Sequence, residues 1–334
     1  MAKEDKSLTG IKPLVLGGAV FNYQYNADPQ NMDIVNILKY GIESGLVNCI
    51  DTSPYYGPSE TLLGESIAKL QETYNLWTNR DEYYVITKCG RLKLDDFDYS
   101  REWIRKSVLR SIERLKCGYL DCVYLHDIEF NNEVEIMEAL KELHKLKEED
   151  KLILNFGISG YPIDFLHKIA VECLKNNEIG ALDCILSYCN GCLQNNMLFK
   201  KSYKMINEGH LKMLSNASIL SMSLLCGQKI KEFHPCSLEL KHVFDTQVKT
   251  YCDQEGINIA ELSTKYAIAE FHDMGPTVVG VSNVFELQTA IDTFRSLQKQ
   301  DMQLNETELK HVEYIQNEIL GKKFMNMTWP SGKH

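Results

Sequence analysis

The sequence lacks the marks of several large classes of protein. Basic residues are in deficit: 36 lysines and arginines against 46 aspartates and glutamates give a net charge of −10. That balance argues against nucleic acid or an anionic membrane as the main partner. Long apolar runs are missing as well, and we expect no membrane span. The polar start, residues 1–7, has no apolar core of the kind found in signal peptides, so we expect a cytoplasmic protein.

Signals for a disulfide framework or a metal centre are also weak. The 11 cysteines are odd in number, and Cys49, Cys122 and Cys184 stand in apolar, strand-like segments. That placement is typical of reduced core thiols. Cys189 and Cys192 have CxxC spacing, but no second ligand pair of the right type stands nearby. A zinc or redox role is the weaker interpretation of that pair, and we expect no metal.

What the sequence has instead is a regular alternation of short apolar segments with helical ones. Strands are predicted at 13–16, 46–50, 83–88, 120–126, 154–159, 182–187, 218–223 and 277–279. Helices are predicted at 31–44, 59–70, 100–115, 133–147, 163–174, 197–208, 238–254, 259–271, 285–297 and 306–319. Eight such units in 334 residues favour an α/β fold of the (β/α)8 TIM barrel type over an open, doubly wound sheet. The first strand is not followed by the GxGxxG of a Rossmann fold, which weakens that alternative.

No Pro/Ser-rich linker or block of charge divides the chain. We therefore predict a single domain over residues 1–334, with residues 1–10 flexible. The barrel would occupy about 13–298, and an extra C-terminal helix and tail would occupy 303–334. No heptad pattern or large apolar helix face demands a partner, so we expect a monomer or a weak homodimer.

The connection from the second predicted strand to its helix, residues 51–60, has the sequence DTSPYYGPSE. Pro54, Gly57 and Pro58 fix an irregular backbone path there. Such a path can aim side chains at one point. Asp51 and one of the two tyrosines are therefore candidates for chemistry.

Active sites of TIM barrels are built where the strands end. Several polar residues stand at those positions: Asp51, Tyr55, Tyr56, Lys88, His126, Ser159, Ser187 and Ser223. Any one of them could be a helix cap or a solvent contact. Aspartate, tyrosine, lysine and histidine converging on one rim are less expected by chance.

These four residue types together can transfer a proton to or from a substrate oxygen. A free tyrosine has a pKa near 10; a nearby lysine cation stabilises its phenolate, and a buried aspartate can hold that lysine in place. Lowering the tyrosine pKa by about three units requires roughly 4 kcal/mol, which a close, partly desolvated ion pair could supply. A neutral histidine can then orient the substrate oxygen. The set suits proton transfer at an alcohol or carbonyl oxygen, coupled to hydride transfer at the carbon.

Three segments together resemble the aldo-keto reductase family: residues 51–60 with Leu63-Gly64, residues 85–88 and residues 123–127. The resemblance extends over about 13–297. It implies a (β/α)8 barrel that binds a nicotinamide cofactor in extended form and needs no metal. It also implies that the family's catalytic tetrad falls on Asp51, Tyr56, Lys88 and His126. Tyr55 would then be a wall of the substrate pocket, together with Trp329 from the tail.

The same resemblance implies a set of cofactor contacts. They fall on Ser159, Gly160, Ser187, Ser223, Leu225, Gly227, Gly280, Ser282 and Glu286. Gly160 replaces an asparagine common in the family, and Met222 replaces an aromatic residue often stacked on the nicotinamide. Individual contacts are therefore expected to differ from the family pattern.

Glu286 bears on the choice of cofactor. A 2′-phosphate of NADP would require arginine or lysine, whereas a glutamate would repel it and could accept a hydrogen bond from a ribose hydroxyl. We therefore expect NAD. The plainer interpretation is a surface glutamate in the first turn of a helix, favoured by the helix dipole.

Gly160, Glu286 and residues 328–332 resemble the sugar dehydrogenases of the family. The implied reaction is oxidation of an aldose, such as D-arabinose or a sugar of the L-galactose or L-fucose type, at its anomeric carbon to the 1,4-lactone. Hydride would pass to NAD and the hydroxyl proton to Tyr56. Three alternatives stay open: an NADPH-dependent reductase of aldehydes or ketones, a Schiff-base aldolase with Lys88 as nucleophile, and a non-catalytic nucleotide-binding barrel.

Overall fold

Eight parallel strands, hydrogen-bonded in chain order, close on themselves in the computed structural model, which describes residues 6–333. The strands are β1 Leu14–Gly17, β2 Val47–Asp51, β3 Tyr84–Cys89, β4 Cys122–Leu125, β5 Phe156–Gly160, β6 Cys184–Tyr188, β7 Met213–Ala217 and β8 Thr277–Gly280. Helices α1 to α6 are Ile34–Ser44, Ser59–Tyr74, Arg101–Leu115, Glu133–Glu148, Ile163–Cys173 and Met197–Gly209. Helices α7 to α12 are Leu238–Val243, Lys249–Glu255, Ile259–Phe271, Val284–Gln298, Glu306–Tyr314 and Gly321–Phe324. The predicted (β/α)8 barrel is confirmed.

The strands are short and apolar because both of their faces are covered. Side chains that alternate along each strand point into the barrel or out toward the helices. Cys49, Tyr124 and Leu186 belong to the interior cluster, whereas Ile50 and Leu125 pack with the helices. Packing on both sides fixes the position of the strand ends, where the next residues carry the site.

The seventh strand lies earlier in the chain than the sequence pattern predicts. β7 is Met213–Ala217 and pairs with β6 from Cys184↔Met213 onward, so the strand predicted at 218–223 is wrong. In that segment Ser218, Ser221, Met222 and Ser223 have φ between +46° and +97°. These left-handed conformations break a strand. Ser223 therefore lies in a loop beyond the strand and does not end it.

Two long predicted helices are interrupted. The helix predicted at 238–254 is α7 and α8 joined by a wider π turn at Phe244–Val248. The helix predicted at 306–319 is α11 followed by a second π turn at Ile315–Leu320. Both belong to a second apolar cluster beside the barrel, which also contains Trp329. Through this cluster the C-terminal segment packs against the loops that follow β6 and β7.

Flexibility over residues 1–10 stays a prediction. Residues 1–5 lie outside the described part of the chain. Residues 6–10 pack against the N-terminal ends of the strands, on the side of the barrel away from the candidate site. Leu8 is buried there, and Lys6 forms an ion pair with Asp121 at 2.8 Å. That the whole chain is one domain stays a prediction. Within residues 6–333, no helix has both the length and the apolar character needed to cross a membrane.

Candidate active site

Asp51, Lys88, His126 and Tyr56 meet at the C-terminal rim of the barrel. Asp51 ends β2, Lys88 is the penultimate residue of β3, and His126 follows β4. The Lys88 ammonium donates to Asp51 Oδ1 at 2.5 Å and to the Thr52 carbonyl at 3.0 Å. Lys88 Nζ also lies 5.1 Å from the centre of the Tyr56 ring, and that ring stands perpendicular to His126 with 5.8 Å between centroids. The structure thus brings all four predicted residues together.

The loop that carries Tyr56 is held by hydrogen bonds of its own. The Tyr56 N–H donates to the Ser53 carbonyl at 3.0 Å, and the Ser59 N–H donates to the Tyr56 carbonyl at 3.1 Å. Gly57 takes up φ +55° between these two turns, a conformation that glycine adopts at little cost. The Ser59 hydroxyl then donates to the Gly18 carbonyl at 2.9 Å. This bond anchors the loop to the segment that directly follows β1.

Lys88 and Asp51 form a buried ion pair. Burial alone would lower the pKa of Lys88, but the negative charge and hydrogen bond of Asp51, with a contribution from Tyr56, raise it above its ordinary value. Burial raises the pKa of Asp51, and Lys88 opposes that change. The raised pKa of Lys88 favours a charged pair, whereas the raised pKa of Asp51 favours a neutral one. We take it as ionised because the 2.5 Å bond joins two groups that are 2% and 6% exposed, and a separated neutral pair would forfeit that bond.

Tyr56 does not have the lowered pKa that the sequence predicts. Its ring is only partly buried, but its hydroxyl lies by Lys88, and burial there raises the pKa of Tyr56 above its ordinary value. Lys88 opposes the rise, whereas the charges of Asp51 and Asp127 add to it. The expected lowering by three units is therefore wrong for the protein by itself. At neutral pH Tyr56 keeps its proton.

His126 is neutral, as its proposed role requires. Burial, followed by the charges of Lys88 and Arg91, holds the pKa of His126 well below its usual range. Its Nδ1 lies 3.0 Å from Ser53 Oγ, and its Nε2 lies 3.5 Å from Asp127 Oδ2. Asp127 in turn forms an ion pair with Arg91. A neutral ring between fixed partners can donate one hydrogen bond and accept another.

The two predicted pocket residues lie in different surroundings. The ring of Tyr55 is half-buried, lies 6.1 Å from Tyr56 and 5.9 Å from His126, and carries the Arg91 guanidinium on its face at 4.2 Å. Trp329 is 7% exposed and stacks on Tyr161, just beyond β5, at 4.7 Å. Tyr55 therefore adjoins the tetrad, while Trp329 lies over the ends of β5 and β6.

The predicted cofactor residues all lie on the same rim. They differ in whether their polar atoms are already hydrogen-bonded within the protein. Ser159 Oγ is buried with no hydrogen-bond partner among the described residues, and this fits a polar ligand atom placed there. Ser187 Oγ accepts from the Asn190 amide at 2.9 Å. Ser223 Oγ accepts from the Lys231 N–H at 2.9 Å. Leu225 is fully buried, so only its backbone could touch a ligand.

Glu286 lies at the start of α10, near the exposed residue Gly280 that ends β8. Its carboxylate accepts from the Ser282 N–H at 2.8 Å and from the Asn283 amide at 3.0 Å. It also faces the loop that contains Gly227, since it adds to the burial that raises the pKa of neighbouring Cys226 to about 11. Glu286 thus both caps the helix and places a negative charge at the rim.

Comparison with known proteins decides the family. The model of the aldo/keto reductase family matches residues 13–309. The chain belongs to the aldo/keto reductase family. It is 46% identical over 326 residues to D-arabinose 1-dehydrogenase of Saccharomyces cerevisiae, covering 97% of this chain and 95% of the relative. It is 35% identical over 291 residues to L-galactose dehydrogenase of Arabidopsis thaliana, covering 86% and 84%.

Solved structures agree on the fold of this aldo/keto reductase. The glycerol dehydrogenase AKR11B4 from Gluconobacter oxydans superposes with a TM-score of 0.64 at 19% identity, over 98% of each chain. At that identity the likeness concerns the barrel alone. The family assignment makes the protein an oxidoreductase of the kind that uses a nicotinamide nucleotide.

No motif or spacing in the sequence points to Glu129, a buried carboxyl beside the site. Its Oε1 accepts from the Tyr161 N–H at 3.0 Å and from the Ser331 hydroxyl at 3.1 Å, while Oε2 has no partner among the described residues. Burial, reinforced by the charge of Asp127, raises the pKa of Glu129 to about 8. A β-carbon at position 160 would lie 2.4 Å from Oε2. A side chain at position 160 would therefore require the Glu129 carboxyl to move.

The CxxC pair shows no sign of metal binding. Cys189 and Cys192 are buried free thiols, and burial raises the pKa of Cys192 to about 11. Across residues 6–333, no group of three or more histidine, cysteine, aspartate or glutamate side chains is arranged to hold a metal ion.

Proposed function

We propose that this aldo/keto reductase is an NAD-dependent aldose 1-dehydrogenase that converts a sugar such as D-arabinose, or one of the L-galactose or L-fucose type, to its 1,4-lactone. The observation that carries the chemistry is the buried Lys88–Asp51 pair, bonded at 2.5 Å beneath Tyr56. The sugar substrate is supported by the near full-length similarity to the D-arabinose and L-galactose dehydrogenases.

The residues of the site divide the work in the proposed reaction. The anomeric hydroxyl lies against Tyr56, whose phenolate form takes the hydroxyl proton as the hydride leaves the anomeric carbon. A bound NAD supplies the acceptor for that hydride. The Lys88 ammonium stabilises the phenolate oxygen of Tyr56 while it is charged, and Asp51 keeps the ammonium in place. His126 orients the substrate oxygen by a hydrogen bond.

The rim residues that would hold the nicotinamide nucleotide are those with free polar atoms or exposed backbone. Ser159, with its unpartnered buried hydroxyl, fits the amide end. Gly227 and Gly280 expose backbone on the other side of the rim. Glu286 supports NAD over NADP because a carboxylate already bonded to Ser282 would repel a 2′-phosphate.

Initial rates with a panel of aldoses, each with NAD and with NADP, test the proposal. We expect NAD to be preferred and Tyr56→Phe to lower kcat by roughly 10²- to 10⁴-fold. Tyr55→Phe is the matched control because it removes a hydroxyl from the neighbouring ring, and we expect a much smaller effect. Equal rates with both nucleotides would contradict the cofactor assignment, and an unimpaired Tyr56→Phe would contradict the mechanism.

Glu286→Arg isolates the contribution of that carboxylate to cofactor choice. It should raise kcat/KM for NADP relative to NAD. The substitution removes a carboxylate that would repel the 2′-phosphate and adds a guanidinium that can donate two hydrogen bonds to it. Glu286→Gln keeps the helix-capping geometry and separates loss of charge from gain of an arginine. An unchanged NADP/NAD ratio in both variants would leave Glu286 as a capping residue only.

A second function, an NADPH-dependent reductase of aldehydes or ketones, is favoured by the raised pKa of Tyr56. A protonated phenol is ready to donate to a carbonyl oxygen, which is the reverse direction. Rates in both directions at pH 7 and pH 10 separate the two proposals. The aldolase alternative is opposed by the raised pKa of Lys88, because a Schiff base requires the neutral amine.

A further inference from the structure

Ser53 lies between Asp51 and the two tyrosines, and its side chain is fully buried against the ring of His126. Its Oγ lies 3.0 Å from His126 Nδ1. The Tyr55 N–H donates to the same Oγ at 3.1 Å. A serine hydroxyl has one hydrogen to donate and two lone pairs to accept with. The directions of these two bonds can therefore be assigned.

The Tyr55 amide can only donate, so Ser53 Oγ accepts there. A neutral imidazole has one donor and one acceptor nitrogen. If His126 Nδ1 carried the hydrogen, Ser53 Oγ would face two N–H donors. Its own hydrogen would then have no acceptor, since no other hydrogen bond of this hydroxyl exists in the described part of the chain. The consistent arrangement has the Ser53 O–H donating to Nδ1.

The other nitrogen of His126 points to the same tautomer. Nε2 lies 3.5 Å from Asp127 Oδ2, and Asp127 is ion-paired with Arg91. An ionised carboxylate only accepts hydrogen bonds, so a bare lone pair on Nε2 would be repelled. Nε2 therefore carries the hydrogen. A separation of 3.5 Å is long for a hydrogen bond, which leaves this N–H available to a substrate oxygen.

The orientation of the His126 ring is set by other contacts than those that select its tautomer. Tyr55 and Tyr56 contact it edge-on, at 5.9 Å and 5.8 Å with interplanar angles of 77° and 89°. Lys88 and Arg91 face it with positive charge and help to keep it neutral. Removing the Ser53 hydroxyl should leave these contacts in place. The variant would lose the bond to Nδ1 and the acceptor of the Tyr55 N–H, and only the longer contact of Nε2 with Asp127 would then favour one tautomer.

We propose that Ser53 is a positioning residue that fixes His126 as the Nε2–H tautomer, so that the imidazole donates to the anomeric oxygen beside Tyr56. The inference rests on the proposed function for its catalytic consequence but not for the tautomer itself. Without the Ser53 hydroxyl, part of the population would place a lone pair where the substrate oxygen needs a donor. Substrate would bind in that population without being oriented.

Nitrogen-15 NMR of histidine-labelled protein reads the tautomer directly, with the His126 signals assigned by their disappearance in His126→Gln. In the wild type we expect Nδ1 to resonate as an unprotonated nitrogen and Nε2 as a protonated one. In Ser53→Ala both signals should move toward an average of the two forms. Ser53→Thr, which keeps a hydroxyl, should restore the wild-type pattern. A protonated Nδ1 in the wild type, or an unchanged pattern in Ser53→Ala, would overturn the inference.

Kinetics supply the second readout. Ser53→Ala should lower kcat about tenfold, as expected for one missing hydrogen bond in the transition state, while KM for NAD stays unchanged. Ser202→Ala is the control because it removes a buried hydroxyl that bonds only within α6, to the Phe199 carbonyl at 3.1 Å. Equal decreases of kcat in the two variants would overturn the role of Ser53. If the wild type oxidises no aldose, the proposed function fails, and the NMR spectra still decide the tautomer.

Discussion

Glu129→Gln removes a buried ionisable group from the 3-10 turn Ile128–Phe130 that follows β4 and should change how stability depends on pH. In the folded protein the pKa of Glu129 is raised from 4.5 to about 8, chiefly by burial and then by the charge of Asp127. The folded protein therefore holds a proton there that the unfolded chain releases above about pH 4.5. The stability that this proton confers is complete below that pH and is lost as the pH rises through about 8.

The size of the effect follows from the two pKa values of Glu129. At about 1.4 kcal/mol per pKa unit, the change from 4.5 to about 8 corresponds to about 5 kcal/mol between pH 4 and pH 9. Glutamine cannot ionise but keeps an oxygen to accept from the Tyr161 N–H and the Ser331 hydroxyl. Glu129→Gln should therefore become progressively more stable than the wild type as the pH rises.

Urea unfolding of both proteins at intervals from pH 5 to pH 9, followed by circular dichroism, measures this difference. Glu313→Gln is the control because it removes an exposed carboxylate and should follow the wild-type curve. Parallel curves for the wild type and Glu129→Gln would refute the reasoning. So would a wild type that gains stability over the variant with rising pH, because that would mean the carboxylate is favoured in the fold.

Three further outcomes are expected. Asp51→Asn should lower the free energy of unfolding by about 3–5 kcal/mol because it leaves the Lys88 ammonium buried without its partner; adding Lys88→Met should recover part of the stability, and urea unfolding of both variants tests this. Gly160→Ala should cost about 1–3 kcal/mol by overpacking, and this cost should shrink when Glu129 is also shortened to alanine, as thermal unfolding would show. The rate of aldose oxidation should rise about tenfold per pH unit from pH 7 to pH 9, since the raised pKa of Tyr56 leaves little phenolate there; a flat profile would contradict Tyr56 as the base.

The sequence predicts the barrel and the meeting of the tetrad because both depend on local patterns. Short apolar strands repeat eight times, and Asp51, Lys88 and His126 each stand at a strand end. The misplaced seventh strand has a local cause as well. Residues 213–217 and residues 218–223 each contain three apolar residues, so composition does not separate them, and only the second segment turns through left-handed conformations.

What the sequence could not predict depends on burial in three dimensions. The pKa of Tyr56 is set by the balance between desolvation and the charge of Lys88, and desolvation is larger. Ser53 carries no signal in the sequence because a serine near an aspartate is common, and only the fold brings its hydroxyl to His126. Glu129 resembles any glutamate at the start of a loop until β5 and the tail are packed against it.

The close approach of Glu129 to position 160 constrains how this chain can change over time. A β-carbon at 160 would lie 2.4 Å from Glu129 Oε2, so a side chain there requires Glu129 to move or to be replaced by a shorter residue. Descendants and relatives should therefore show the two positions varying as a pair, with glutamate accompanied by glycine. Removal of a side chain from position 160 and burial of a carboxyl at position 129 would then be coupled changes.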